Sequence, residues 1–262
     1  MKIVVLVKQV PDTYSERKLS DADHTLDRES SDAVIDEINE RAVEAALNLK
    51  ESNGDASVVT VVSMGPERAT DALRKALAMG ADDAVHLSDE ALHGSCAVQT
   101  ARTLAKVLGT IDGVDLVVTG NESSDGGTSA VPPMLAELLG LPALTHAREI
   151  AVEGTTITVR RETDEGVTSL RAELPAVISV GEKINEPRYP SFKGIMQAKK
   201  KPITTLTLAD AGVDAGEVGL ANALSQVTSA APKPPKGGGQ KVTDGGDGGS
   251  QIAEYLVAQK LI

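Results

Sequence analysis

The sequence predicts a doubly wound, mostly parallel α/β sheet with an added antiparallel hairpin and a C-terminal tail. Three features predict it. Four short apolar runs, residues 3–7, 58–62, 84–87 and 116–118, are nearly continuous rather than alternating, as strands covered on both faces are. Helical periodicity separates them, and strand–helix alternation builds a parallel sheet with right-handed crossovers. After Pro142 the apolar period drops to two.

The helices follow in order. Ile35, Ile38, Ala42, Ala45, Ala46 and Leu49 fall on one helical face. Ala69, Ala72, Leu73, Ala76 and Leu77 form a second that stops at Gly80. Cys96, Thr100, Leu104, Val107 and Leu108 end at Gly109, and Val131, Met134, Leu135, Leu138 and Leu139 at Gly140. Glycine just past the last apolar position is a helix stop. Beyond Pro142, Ile157 and Val159 alternate with Thr156, Thr158 and Arg160, and Leu170, Ala172 and Leu174 with Ser169, Arg171 and Glu173. The turn Thr163-Asp164-Glu165-Gly166 joins these runs into a hairpin, and the apolar strand 176–180 follows as part of a mixed sheet.

Residues 1–228 are read as one nucleotide-binding α/β domain. Residues 229–249 are rich in Pro, Lys and Gly and read as a flexible linker. Residues 250–262 read as a short helix capped by Ser250, carrying Ile252, Tyr255, Leu256 and Leu261. About a dozen residues are marginal as a lone helix, so this one is expected to dock.

A formal charge of −12 argues against a nucleic-acid binder, because phosphate repulsion opposes the approach. Cys96 is the only cysteine, which rules out a disulfide framework. The histidines, His24, His86, His93 and His146, have no metal-ligand spacing, so no metal is expected. The chain opens on a strand-like MKIVVLVK rather than a signal peptide, and no apolar run approaches the ~20 residues of a membrane helix. A soluble, cytoplasmic protein without membrane insertion is expected.

The strongest ligand signal follows the fourth apolar run. Ligands of open α/β sheets bind outside the carboxyl ends of strands, where strand order reverses. Here a strand ends at Gly120, and Asp125, Gly126 and Gly127 lead to Thr128, Ser129 and a helix with Pro132 and Pro133 near its start. Small residues let backbone N–H groups close on a phosphate, and a helix N-terminus adds donors and a favourable dipole. An ordinary Gly-rich turn with an N-cap is the competing reading. The sequence lacks G-x-x-x-x-G-K-[ST], a G-x-G-x-x-G after the first strand, and G-x-S-x-G. The residues thus favour a binding module over an enzyme, with no catalytic set.

A second signal is the segment NEPRYPSFKGIMQAKKK, residues 185–201. The chain has only four aromatic residues, and Tyr189 and Phe192 are two of them. They sit among Pro187, Pro190 and Gly194, which read as a loop. A loop that presents aromatics fits a protein interface; aromatics folded back onto the core are the alternative.

Strings along the chain resemble the β subunit of electron transfer flavoprotein. They are MKIVVLVKQVPD, AVEAALNLKES, VVSMGPERATDALRKALAMGADDAVHL, DLVVTGNESSDGGT, VRRETDEG with LPAVISV, and NEPRYPSFKGIMQAKKK, in order from residue 1 to about 212. One departure is Thr168, at a hairpin position that the family usually gives to Glu or Gln. The resemblance implies an adenine nucleotide hydrolase-like fold and a heterodimer with an α subunit. Such a heterodimer accepts electrons from acyl-CoA and other primary dehydrogenases and passes them to a quinone oxidoreductase of the respiratory chain. It implies one FAD per heterodimer, held mainly by the α subunit, and one structural AMP in this chain.

The AMP contacts implied are Leu6, Asp36, Glu37, Ile38, Asn39, Met64, Gly120, Asn121, Glu122, Ser123, Ser124, Asp125, Gly126, Gly127, Thr128, Ser129, Ala130 and Val131. Segment 183–201 corresponds to the family's dehydrogenase-recognition loop, with Tyr189, Phe192, Ile195 and Met196 as partner contacts. The flavin-side aromatic falls near Thr13 or Tyr14. Bifurcating relatives, in which a second FAD replaces the AMP, share the resemblance. Two other classes compete on fold alone. A nucleotide α-hydrolase calls for a pyrophosphate loop such as S-G-G-x-D-S near the first strand, which this chain lacks. A universal-stress-like ATP/AMP-binding protein would lack the hairpin and the 185–201 segment.

Overall fold

The computed structural model describes residues 1–54, 56–231, 233–235, 237 and 241–262. These divide into two compact units, Met1–Thr228 and Ser229–Ile262. In chain order, the first unit contains β1 (Lys2–Leu6), β2 (Gln9–Pro11), β3 (Ala33–Ile35), α1 (Glu37–Asn53), β4 (Val58–Met64), α2 (Thr70–Met79), β5 (Asp83–Leu87) and α3 (Ala97–Gly109). It continues with β6 (Leu116–Gly120), α4 (Val131–Leu139), β7 (Ala143–Glu153), β8 (Thr156–Thr163), β9 (Gly166–Glu173), β10 (Ala176–Val180), α5 (Phe192–Ala198) and β11 (Ile203–Leu206).

Nine strands form one sheet in the order β11-β5-β4-β1-β6-β10-β7-β8-β9. The pairs from β11 to β7 are parallel, and β7–β8 and β8–β9 are antiparallel. β2 and β3 pair separately as a small antiparallel ribbon. The doubly wound α/β expectation holds. The continuous apolar runs follow from burial on both faces: Ile3 and Val5 enter one core with residues of α1 and α2, and Val4 and Leu6 enter the other with residues of α3 and α4.

Several elements differ from the sequence reading. The strand expected at 176–180 is present, and its place is one the sequence did not give: as β10 it lies between β6 and β7 with all five residues buried. β7 is an eleven-residue strand that the reading missed. Its burial alternates over much of its length, but polar residues stand on the exposed side and a register shift between Ala147 and Glu149 breaks the period. β11 and the β2–β3 ribbon are too short to carry a pattern of their own. Ile35 belongs to β3 rather than to the helix, whose N-cap is Asp36. Cys96 precedes α3 and donates its backbone N–H to Gln99 Oε1 at 2.8 Å. Gly80 and Gly140 follow their helices, with Gly140 left-handed at φ 65°, whereas Gly109 is the last helical residue and Thr110 the cap.

The second unit contains α6 (Gly248–Ala258). Its N-cap is Asp247 and not Ser250, which lies inside the helix, and Leu261 falls beyond its end. Asp244 Oδ1 accepts the N–H groups of Gly246 and Gly248 and shapes the turn that opens the helix three residues earlier than a Ser250 cap would. Residues 232, 236 and 238–240 of the expected linker lie outside the described residues. Among the described residues no helix is long and apolar enough to cross a membrane.

Candidate functional site

From β1 the sheet extends through β4, β5 and β11 on one side, and through β6, β10 and β7 on the other, and the chain crosses from β5 back over β1 to reach β6. The order therefore reverses between β1 and β6, and their carboxyl ends are where an open α/β sheet leaves a crevice. β1 is followed there by Lys8, and β6 by the loop that leads into α4.

Contacts at the start of this loop hold it against α1. A Cβ on Gly120 would lie 2.6 Å from Ile38 Cγ2 and 2.9 Å from Asn39 Nδ2, so glycine is required for α1 to pack on the end of β6. Asn39 Oδ1 accepts the Lys8 N–H at 2.7 Å, and Asp36 Oδ2 accepts the Ser124 N–H at 2.8 Å. The Asn121 N–H donates to Val180 O at 3.0 Å. The loop's turn is closed by Gly127 N–H donating to Ser123 O at 2.8 Å, with Gly127 left-handed at φ 56° and Ser129 at φ 52°. Ser129 Oγ donates to Glu122 Oε2 at 2.5 Å.

Beneath the loop lies a charge cluster that the sequence reading did not anticipate. Asp125, with a side chain only 2% exposed, accepts from Lys8 Nζ at 2.6 Å and from Arg28 Nη2 at 3.1 Å. Arg17 Nη1 donates to Ser124 O at 2.5 Å. Burial pushes the Asp125 carboxyl up, but the Lys8 charge and hydrogen bond, Ser123 and Arg28 together hold it below its ordinary value. Asp36 moves the other way: burial raises it, the Ser124 N–H opposes this, and the nearby Asp125 charge adds to the rise. Lys8 could have been suspected, since it is the second residue past β1 at the switch point. Arg17 and Arg28 sit in the long excursion between β2 and β3, and nothing in the sequence pairs them with residues 124 and 125.

The residues marked as nucleotide contacts converge here. Leu6 and Met64 lie at the carboxyl ends of the adjacent strands β1 and β4, 36–39 open α1, and 120–131 form the loop and first residue of α4. Two features suit a phosphate-bearing ligand. The Ser124 Oγ is buried without a hydrogen-bond partner among the described residues. The N–H groups of Thr128, Ser129, Ala130 and Val131 find no acceptor among the described residues, and they lie where the α4 dipole is positive. Pro132 and Pro133 have no N–H, so the donors are confined to the residues before them.

The 185–201 segment is only in part the Pro/Gly loop that its composition suggests: residues 185–191 are irregular, as expected, but the stretch after them is helical. Phe192 to Ala198 form α5, with Ser191 Oγ accepting the Gly194 N–H at 3.0 Å as an N-cap. Gly194 does not loosen the chain there; a Cβ on it would lie 2.5 Å from Ala78 O, so it permits close packing of α5 on α2. Arg74 of α2 donates to Ala198 O at 2.6 Å and Lys201 O at 2.5 Å and thereby caps the C-terminal end of α5. Tyr189 is 97% and Phe192 82% exposed, and Ile195 and Met196 are also exposed. An open cleft of about 610 Å³, lined by Arg74, Lys75, Ala78, Pro190, Ile195, Ala198 and Lys199, runs beside them. Tyr14 stands elsewhere on the surface, fully exposed, in a turn where its N–H donates to Asp12 Oδ1 at 2.9 Å.

The model of the electron transfer flavoprotein domain matches residues 23–211. The electron transfer flavoprotein subunit beta of Mycobacterium tuberculosis is 64% identical over 263 residues, covering 99% of each chain. That of Megasphaera elsdenii is 39% identical over the full length of both chains. The caffeyl-CoA reductase-Etf complex subunit CarD of Acetobacterium woodii is 36% identical over 99% of this chain and 97% of its own. A sheet with its crevice between β1 and β6, a loop of free amides at that crevice and near-full-length similarity agree: the chain belongs to the electron transfer flavoprotein family, among its β subunits.

Proposed function

We propose that this chain pairs with an α subunit to form a cytoplasmic electron carrier. The carrier accepts electrons from acyl-CoA and other primary dehydrogenases and delivers them to a quinone oxidoreductase of the respiratory chain. The FAD, held mainly by the α subunit, supplies the redox chemistry. This chain holds a structural AMP and presents the surface that dehydrogenases recognise.

The observation that carries this reading is the loop at the switch point. Its amides at 128–131, without acceptors among the described residues, and the buried Ser124 hydroxyl offer donors for a phosphate. The Asp125 charge that would repel a phosphate is neutralised by Lys8 and Arg28. The carboxylates at the loop are engaged: Asp125 with two cations, Asp36 with a backbone N–H, and Glu122 with Ser129. That arrangement suits rigid binding better than proton transfer. The Acetobacterium woodii relative is named for a CoA-thioester reductase complex, which supports CoA-ester dehydrogenases as the partner class.

The test is to co-purify the chain with its α subunit, denature the complex and identify the released nucleotides by mass spectrometry. One FAD and one AMP per heterodimer are expected. A second FAD in place of AMP would assign the complex to the bifurcating type. No adenine nucleotide beyond a single FAD would remove the AMP site.

A further inference from the structure

The residues just before α5 are fastened to α1. Arg188 donates from its backbone N–H and its Nε to Glu44 Oε2, at 3.1 and 2.8 Å, and from Nη2 to Glu44 Oε1 at 3.1 Å. Its Nη1 reaches Glu51 Oε1 at 2.6 Å. Glu44 and Glu51 are two turns apart on one face of α1, and Glu44 is only 8% exposed, so the pair is partly withdrawn from water. Upstream, Asn185 Nδ2 donates to Arg41 O at 3.0 Å, and Arg41 returns a bond to Asn185 O. Downstream, Gly194 and Arg74 dock α5 on α2. Tyr189 and Phe192 therefore project from a stretch held at both ends, although neither side chain is itself packed.

We propose that Arg188, through its fork onto Glu44, is a positioning residue that sets Tyr189 and Phe192 as a preformed knob for the dehydrogenase. This rests on the recognition reading above. Holding a binding segment in its bound shape lowers the ordering cost of association, so the Arg188–Glu44 pair acts on partner affinity without touching the partner. A planar guanidinium fixes direction in a way that an ammonium does not.

Removing Arg188 alone leaves Glu44 buried and unpaired and endangers folding. The test variant is therefore the neutral pair Glu44→Gln/Arg188→Gln in the intact heterodimer, with Arg188→Lys as the milder change. The pair variant is expected to raise the KM for this protein as the dehydrogenase's electron acceptor about tenfold, with kcat and flavin content unchanged. Arg188→Lys is expected to fall between it and the natural chain. Amides of α5 are expected to exchange faster in both. In a Phe192→Ala background the pair variant is expected to cost less than about twofold more, because the group being positioned is gone.

An unchanged KM in a folded pair variant would overturn the inference. So would full additivity with Phe192→Ala, or unchanged exchange in α5. If the pair variant loses its flavin or does not assemble, Arg188→Lys decides: a natural KM overturns the inference. A natural KM for Phe192→Ala itself would instead remove the recognition reading, while exchange in α5 still reports on the clamp.

Discussion

The Ser124 N–H donates to Asp36 Oδ2 at 2.8 Å across 88 residues of sequence. It joins the loop after β6 to the residue that opens α1. Its acceptor is a buried carboxylate, so the bond is charge-assisted, but Asp36 also stands close enough to the Asp125 charge to be raised by it. The two acids at the loop therefore respond to pH in opposite directions.

Asp36→Asn is expected to stabilise the complex at neutral pH. The carboxyl of Asp36 titrates higher in the folded chain than the ~3.9 of an unfolded aspartate, so ionising it costs folding free energy. That cost is absent below about pH 4 and grows until the folded value is passed. Asparagine keeps an acceptor for the Ser124 N–H and removes the charge. Melting curves of the variant and natural complexes should differ most at pH 7–8, with the variant higher, and converge as pH falls toward about 4. A lower melting temperature for the variant at pH 8 would show that the ionised carboxylate is worth more than its burial cost.

Asp125→Asn is expected to do the reverse. The folded value of Asp125 is depressed, so its stabilisation is present above about pH 4 and is lost as pH falls through that lower folded value. Substitution leaves Lys8 and Arg28 without their counter-charge. Their side chains are 39% and 32% exposed, so water softens the loss to ~1–3 kcal/mol at pH 7, below that of a fully buried pair. Chemical or thermal denaturation of the complex at pH 7 measures it.

Two glycines in the site are expected to fail for different reasons. Gly120→Ala places a methyl within 2.6 Å of Ile38, an overpacking cost of ~1–3 kcal/mol. A Cβ on Gly127 would meet nothing within 4 Å among the described residues, and its glycine serves a φ of 56°. Gly127→Ala should cost roughly 1–2 kcal/mol, and Gly127→Asn noticeably less, because asparagine tolerates the left-handed region. Asparagine at 120 should rescue nothing. Equal losses for Asn and Ala at 127 would mean that close approach of a ligand, rather than φ, sets the requirement.

The sequence makes the sheet legible wherever burial is two-sided, because the runs at β1, β4 and β6 need no partner information to be read. β10 has the same composition, but its place in the order depends on pairing with β6 and β7, which no local pattern records. The loop after β6 is legible as a candidate site from Gly126, Gly127 and the start of α4. Its counter-charges are not, since Arg28 meets Asp125 only through the excursion between β2 and β3. Around Phe192 the local reading fails for a physical reason: Gly194 looks like a breaker, but its missing Cβ serves the contact with Ala78 O.

Deleting residues 237–262 is expected to weaken pairing with the α subunit. Ile252, Tyr255 and Val257 on α6 are all more than half exposed, which an eleven-residue helix does not sustain by propensity alone. Burying each such side chain on a partner is worth ~1.5–3 kcal/mol before ordering costs. A rise of at least about tenfold in the heterodimer Kd is expected, measurable by sedimentation or calorimetry. Natural affinity in the truncated chain would mean that the helix is not part of the interface.

Phe192→Ala is expected to impair recognition without touching the cofactor. Phe192 is the chain's only phenylalanine, is 82% exposed, and opens a helix whose backbone is fixed by the Ser191 cap and the Gly194 contact. An apolar ring displayed on a rigid support fits an anchor for a pocket on a partner. Truncating a central hot-spot aromatic costs ~2–4 kcal/mol, or ~30- to 1000-fold in affinity. The apparent KM of a dehydrogenase for this acceptor should rise accordingly, while flavin content and reduction by dithionite stay unchanged. Because the ring is already in water, the melting temperature should also hold. A variant that melts early or loses flavin would place Phe192 in an interface within the complex rather than at its outer surface.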